Sequence, residues 1–463
     1  MKPTAHSHPV SGSNIPAAGF RFPLSSLTRM PTLLLGLAVP AAFADEPSFE
    51  FFSHTGKDLF PSAIISTATV DWSEIQGDDS GDEEAVADAE EAADGDETEE
   101  DAGDGVVLLG DANGWVGVSL HDVPEGADIT VELSGDGWLK PSKFTGKAAD
   151  AEGNAVEGDL DVMPKAAWDF EALHRVQEQK PVVLSIKVSV NGKALPEQTE
   201  TLVLRSINDC PFFVIQEDEE VVEDLSWCFA AYVNENHPWI DGLLKEALTT
   251  AKVAEGEPLI DSFTGYQSGD EEVVLKQVFA IWQVLQRRGI KYSDVSTTVP
   301  SRKVASQTVR SLDQTVEATQ ANCVDGSVLM ASILTKIGLN AHLVMVPGHC
   351  FLAFDGDSAG ESLIGLETTL LGSDNLKSVE QLKKLALKAE DKKIDPKKLN
   401  AMVAKETEAS MKTFLNAIET GIGNLDEHAD GFDSGEDPNT QIISIRDARK
   451  FGIMPLASGK DRK

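Results

Sequence analysis

The sequence predicts an α+β protein in which a β-sandwich-like module precedes a unit of helices and antiparallel strands. Three observations predict it. Apolar and polar residues alternate with period two through residues 106–210. The period lengthens to 3.6 after Cys228. Further on, a helical segment headed by Cys323 runs into three short apolar segments of strand length. A chain of 463 residues has room for two or three domains.

At the N-terminus, Lys2, Arg21 and Arg29 form a basic region free of acidic residues. An apolar stretch from Pro31 to Phe43 follows, and Ala42-Phe43-Ala44 is a small-x-small cleavage site before Asp45. Residues 1–44 therefore read as a signal peptide. The stretch is short for a bilayer span, Pro40 interrupts it, and no later segment is long and apolar enough to cross a membrane. The expectation is an exported protein (periplasmic, cell-envelope or extracellular) with no transmembrane segment in the mature chain.

Residues 45–105 combine a strand-like segment and an acidic run. The first extends from Ser48 to about Trp72, centred on Ala63-Ile-Ile-Ser-Thr-Ala-Thr-Val70. The second, Glu74 to Asp104, holds sixteen carboxylates and no Lys or Arg. Such a composition buries too little apolar surface to offset chain entropy, so disorder is expected there. Asp94, Asp96 and Asp104 lack the ligand spacing and the closing Glu of a calcium loop. With 39 Lys+Arg against 77 Asp+Glu, the net charge is -38. That field repels phosphate backbones and anionic lipid, which argues against nucleic-acid partners.

The β module, residues 106–210, alternates clearly in Trp115–Leu120, Ile129–Leu133 and Val182–Val190. Asn191-Gly192 is a tight-turn signal, and Thr201–Ile207 returns as the hairpin partner. From residue 228 to 456 a second domain is expected, with a tail at 457–463. Pro238 opens a helix bearing Trp239, Leu243, Leu244 and Leu248. Ser268 and Glu271 suggest a capping box for the next, whose Val274, Val278, Ile281, Trp282 and Leu285 read as core before Gly289 stops it. Val379 to about Ile422 looks helical, and Ile442–Ile445 looks like a strand.

The chemistry-bearing stretch is Gln320-Ala-Asn-Cys323-Val-Asp-Gly-Ser-Val-Leu-Met-Ala-Ser-Ile-Leu-Thr-Lys-Ile-Gly338. Asn322 is a candidate N-cap and Gly338 a stop, which sets Cys323 in the first turn of a helix. Helix N-termini favour thiolate over thiol, and their free N–H groups can donate to an oxyanion. Ala341–Val346, the turn Pro347-Gly348 and a strand from His349 to Phe354 follow. Then Leu363–Leu366 ends at Glu367. Adjacent antiparallel strands would bring Glu367 beside His349, where it can orient the imidazole. Asp355 and Asp357 are weaker rivals for that role. His342 reads as structural, and Asp325 as a brace for the first helical turn or a substrate amine. Cys210 and Cys228 are a candidate disulfide pair across a short loop, and Cys350 a candidate partner for Cys323. A zinc site from Cys323, His349, Cys350 and Glu367 has no supporting spacing.

Three blocks, Cys323-Val-Asp-Gly-Ser-Val-Leu, Val346-Pro-Gly-His349 and Leu366-Glu367-Thr-Thr, resemble the Cys, His and acid blocks of bacterial transglutaminase-like proteins of the papain-like superfamily. Gln307-Thr-Val-Arg310 resembles a segment preceding the cysteine in that family, and Ile445–Leu456 resembles its closing segment. The likeness covers roughly residues 230–456. Ala321 stands where many relatives have Gly, Cys350 where they have Ala, and the acid is Glu rather than Asp. The resemblance implies a papain/transglutaminase-like domain with Cys323, His349 and Glu367 as catalytic residues and Gln307 as an oxyanion candidate. It implies no cofactor and no metal. The implied activity is an amide hydrolase or acyltransferase (protease, deamidase or transglutaminase type) acting through a thioester on peptide or protein substrates. A non-catalytic binding or scaffolding protein of the cell envelope is the alternative.

Overall fold

Alternating segments of the first half pair into two sheets that share one core. The computed structural model describes residues 46–70, 106–111, 114–215, 221–252, 257–294, 301–435 and 437–456. The expected signal peptide, acidic run, calcium-loop aspartates and tail lie outside these. The molecule is mixed α+β with several separate sheets.

One sheet of the sandwich comprises Ser48–Phe52, Gly117–Val123, Gly158–Met163 and Val107–Gly110. The other is centred on Asp128–Gly135, flanked by Leu139–Lys147 and Lys180–Val190. Val118, Leu120, Leu160 and Val162 from the first pack with Ile129, Val131, Leu184 and Ile186 from the second, all essentially excluded from solvent. The Asn191-Gly192 turn takes positive φ at both residues (50° and 74°), the geometry such a hairpin requires. It returns the chain so that Leu202 pairs with Val182. Ser48–Phe52 pairs antiparallel with Gly117–Val123, so the segment ahead of the acidic run is an integral strand of the sandwich.

The strand-like reading of Ala63–Val70 is corrected. Pro61–Ser66 is a short helix buried on both sides. Leu59 and Ile64 join the sandwich core, whereas Phe60 and Ala63 join the core of the second half. A helix wedged between two cores is buried on opposite faces, so its sequence shows no single 3.6-residue apolar stripe.

The second half is built on an antiparallel sheet in the order Leu363–Leu366, His349–Asp355, Ala341–Val346, Gln441–Ser444. The helices Cys323–Lys336 and Glu271–Arg287 share its main core, with Trp282 fully buried as expected. Asp270, not Ser268, caps the helix Glu271–Arg287, accepting from Glu272 N–H at 2.9 Å. The segment from Val379 to about Ile422, expected to be helical, comprises two helices, Val379–Glu390 and Pro396–Glu427. Proline is tolerated only in a first turn, and Asp395 caps the second helix there. The expected strand Ile442–Ile445 is Gln441–Ser444, and Ile445 opens the helix Ile445–Phe451.

The 32-residue helix Pro396–Glu427 crosses the edge strand where Gly421 meets Gly365. A Cβ on either glycine would lie 2.3–2.4 Å from the other's backbone, so this approach needs hydrogen at both positions. Phe414, from the same helix, fills the space against Phe279 (5.4 Å between ring centroids) and Trp282 (5.9 Å). Among the described residues no helix is long and apolar enough to cross a membrane.

Candidate active site

The helix Cys323–Lys336 begins in a reciprocal capping box. Asp325 N–H donates to Asn322 Oδ1 at 2.8 Å, and Asn322 N–H donates to Asp325 Oδ2 at 3.2 Å. Gly326 N–H goes to the Asn322 carbonyl at 2.9 Å. Among the described residues, the N–H groups of Cys323 and Val324 keep no such partner, as expected in a first helical turn. Cys323 is therefore a partly exposed thiol at a helix tip with two available donors beside it.

His349 follows the Pro347-Gly348 turn, where Gly348 adopts φ 73°, and pairs with Val346 at the start of its strand. Its Nε2 lies 2.8 Å from Glu367 Oε2, and its ring stacks on Phe351. The Cys323 side chain interacts with the same imidazole. The hydrogen bond to Cys323, then that to Glu367, raise the His349 pKa to about 10 despite partial burial. Both neighbours thus favour the charged form of the imidazole.

Glu367 ends its strand and caps the turn Thr368–Leu370. Its Oε1 accepts from Thr369 N–H (2.9 Å) and Thr369 Oγ1 (2.6 Å), and its Oε2 also accepts from Asn424 Nδ2 (3.3 Å). Burial opposes the charge of Glu367, but the bonds from His349 and Thr369 outweigh it and hold the pKa below the usual glutamate value. Thr368 ties this turn to the cysteine helix. Its Oγ1 contacts Ser327 Oγ at 3.2 Å and donates to the Cys323 carbonyl at 3.4 Å, over Gly326, where a Cβ would lie 3.0 Å from Thr368 Oγ1.

Other expected residues lie elsewhere. Gln307 sits on the strand Val304–Thr308 opposite Cys210, and its amide donates to the Thr308 carbonyl at 3.5 Å. Among the described hydrogen bonds none links it to Cys323. Its neighbour Arg310 makes the link instead, with backbone N–H and Nη1 each donating to Asp325 at 2.8 Å. Asp325 is a brace for the helix tip; burial raises its pKa against the opposing bonds from Arg310 and Asn322. His342 and Asp355 bond each other at 2.9 Å, and Asp355 also accepts from Asn340, so Asp355 is committed away from His349. Asp357 caps its own loop through three backbone N–H groups. Cys210, Cys228 and Cys350 are buried free thiols whose pKa values burial pushes up; the charge of Cys323 adds to the effect on Cys350. Among the described residues no group of three or more His, Cys, Asp or Glu is placed to hold a metal ion.

Sequence reasoning missed two neighbours. Tyr292, 42% exposed, pairs with Ala321 two positions before Cys323, and its hydroxyl feels the charges of Cys323 and Glu367. Asn424 arrives from a helix 57 positions downstream of Glu367. Neither stands in the three blocks, and only the Gly421 crossing hints at the second. No family model matches the chain, and no curated protein or solved structure matches it either.

Proposed function

We propose that the protein is an exported, cysteine-dependent amide hydrolase or acyltransferase of the papain/transglutaminase type, acting on peptide or protein substrates. The observation that carries this is the single imidazole of His349, hydrogen-bonded to Glu367 on one side and facing Cys323 on the other. A protonated imidazole beside a sulfur at a helix N-terminus favours the nucleophilic thiolate in general.

In the proposed reaction the Cys323 sulfur attacks the amide carbonyl carbon, and the negative charge moves to the carbonyl oxygen. The N–H groups of Cys323 and Val324 are positioned to donate to that oxygen. His349 gives its proton to the leaving amine as the carbon–nitrogen bond breaks, which leaves a thioester on Cys323. Water or an amine then attacks the thioester, loses its proton to His349, and releases the sulfur. Glu367 keeps the ring oriented throughout and balances its charge. A purely scaffolding role would not require a partly exposed thiol facing a charged imidazole.

The test is alkylation by iodoacetamide at neutral pH, followed by mass spectrometry of the mature protein. Cys323 is expected to react well ahead of free cysteine, and His349→Ala to abolish the advantage. A wild-type thiol no faster than free cysteine would remove the enzymatic reading.

A further inference from the structure

We propose that Asn424 is a positioning residue for the Cys323–His349–Glu367 constellation, aiming the Glu367 oxygen that receives the imidazole. The inference rests on the enzymatic reading for its kinetic arm alone. Three independent contacts bring the helix Pro396–Glu427 to this carboxylate. Gly421 lies against Gly365 with no room for a Cβ on either side. Glu367 N–H donates to the Ala417 carbonyl at 2.9 Å, anchoring the backbone of the acid to the helix. Two turns on, Asn424 Nδ2 donates to Glu367 Oε2 at 3.3 Å, the same oxygen that His349 Nε2 meets at 2.8 Å.

Geometry explains why this donor matters. Both Thr369 bonds fall on Oε1, so they pin one oxygen and leave the carboxylate free to turn about it. A second donor on Oε2 removes that freedom. The backbone at Asn424 carries a further contact at the helix end, where His428 Nδ1 lies 3.0 Å from the Asn424 main-chain carbonyl oxygen. The charged or titratable groups facing His349 are Cys323 and Glu367, with Tyr292 beside both and His428 one turn beyond Asn424. With Asn424 truncated, the Glu367 oxygen swings off the ring. The imidazolium then loses part of the interaction that keeps its proton.

The experiment follows the His349 ring resonances of the full mature protein through a pH titration, in wild type and Asn424→Ala. Leu415→Ala serves as the control, because Leu415 is on the same helix but 52% exposed. The expected result is a His349 midpoint that moves down from about 10 in Asn424→Ala and stays put in Leu415→Ala. In turnover, Asn424→Ala is expected to lower kcat about tenfold with KM nearly unchanged, since misalignment at this scale costs rate rather than binding. A midpoint that is unmoved, or that rises because a competing donor has gone, overturns the proposal. A wild-type measurement guards against a misfolded variant. The Asn424 side-chain amide resonances are expected to shift with the His349 midpoint, and amide resonances indifferent to that titration overturn the proposal equally. Should wild type show no turnover while the midpoint still moves, the enzymatic reading falls and the positioning role stands.

Discussion

Beside Cys323, whose interaction with the imidazole is the larger cause, Glu367 helps to hold the proton on His349, because four donors converge on one buried carboxylate. Cys323 and a carboxylate so held together favour the imidazolium and raise the His349 pKa to about 10. If leaving-group protonation is the chemical role of His349, the basic limb of kcat/KM lies near pH 10. In Glu367→Gln that limb moves down towards the ordinary histidine value of 6.5, with kcat/KM lower by about a hundredfold. A pH–rate profile checks both, and a wild-type limb near neutrality would contradict the assignment. Much of this scale was legible in the sequence. Cys323, His349 and Glu367 follow one another within 45 positions, on elements marked by an N-cap, a Pro-Gly turn and a strand end. For Gln307, the oxyanion candidate, the motif does not say which of its residues faces the helix. Strand pairing with Cys210 holds Gln307, and Arg310 completes the link.

At the scale of elements, two junctions position the candidate site. Arg310 joins the strand Val304–Thr308 to the cysteine helix through Asp325, a carboxylate with almost no solvent contact. Removing one partner of a buried pair leaves the other uncompensated. Arg310→Ala is therefore expected to destabilise the fold by about 3 kcal/mol, measured by urea denaturation; a midpoint equal to wild type would show that the pair is dispensable. The second junction is the Gly365–Gly421 crossing, which carries Asn424 to Glu367. Sequence periodicity identified the helix but not its docking face, because close approach at glycine leaves no apolar signature. The break before Pro396 follows from proline's missing N–H, which the reading of Val379 to about Ile422 as helical passed over. The short helix Pro61–Ser66 was not, since burial against two cores erases the contrast that periodicity depends on.

On the whole-molecule scale, the two cores are joined around that short helix and the strand Asp209–Ile215. Ser62 Oγ donates to the Asp209 carbonyl at 2.6 Å, and Arg205 lies over Phe60 while its Nε meets Asp209 Oδ2 at 3.2 Å. The strand then pairs with Val304–Thr308, so the sandwich connects through the chain to the segment that braces the cysteine helix. The His349–Glu367 pair also links stability to pH. The raised His349 pKa contributes stability fully below 6.5, lost as pH rises through about 10. The lowered Glu367 pKa contributes stability fully above 4.5, lost as pH falls through its folded value. The Tm difference between wild type and Glu367→Gln is thus expected to be widest between pH 4.5 and 6.5 and to shrink towards pH 10. A difference that grows on the alkaline side would reverse the assigned signs.

By itself the sequence determined the local facts of this protein: an alternating β half, a helical half, a cysteine at a capped helix start, and a histidine and a glutamate at strand ends. These depend on neighbours within one or two turns, where capping, periodicity and turn chemistry act. Tertiary structure alone decided that Asn424 meets Glu367, that Arg310 rather than Gln307 reaches the helix tip, and that Pro61–Ser66 is a helix. Each depends on residues from distant segments meeting in a packed interior, a free energy that no short stretch of chain carries.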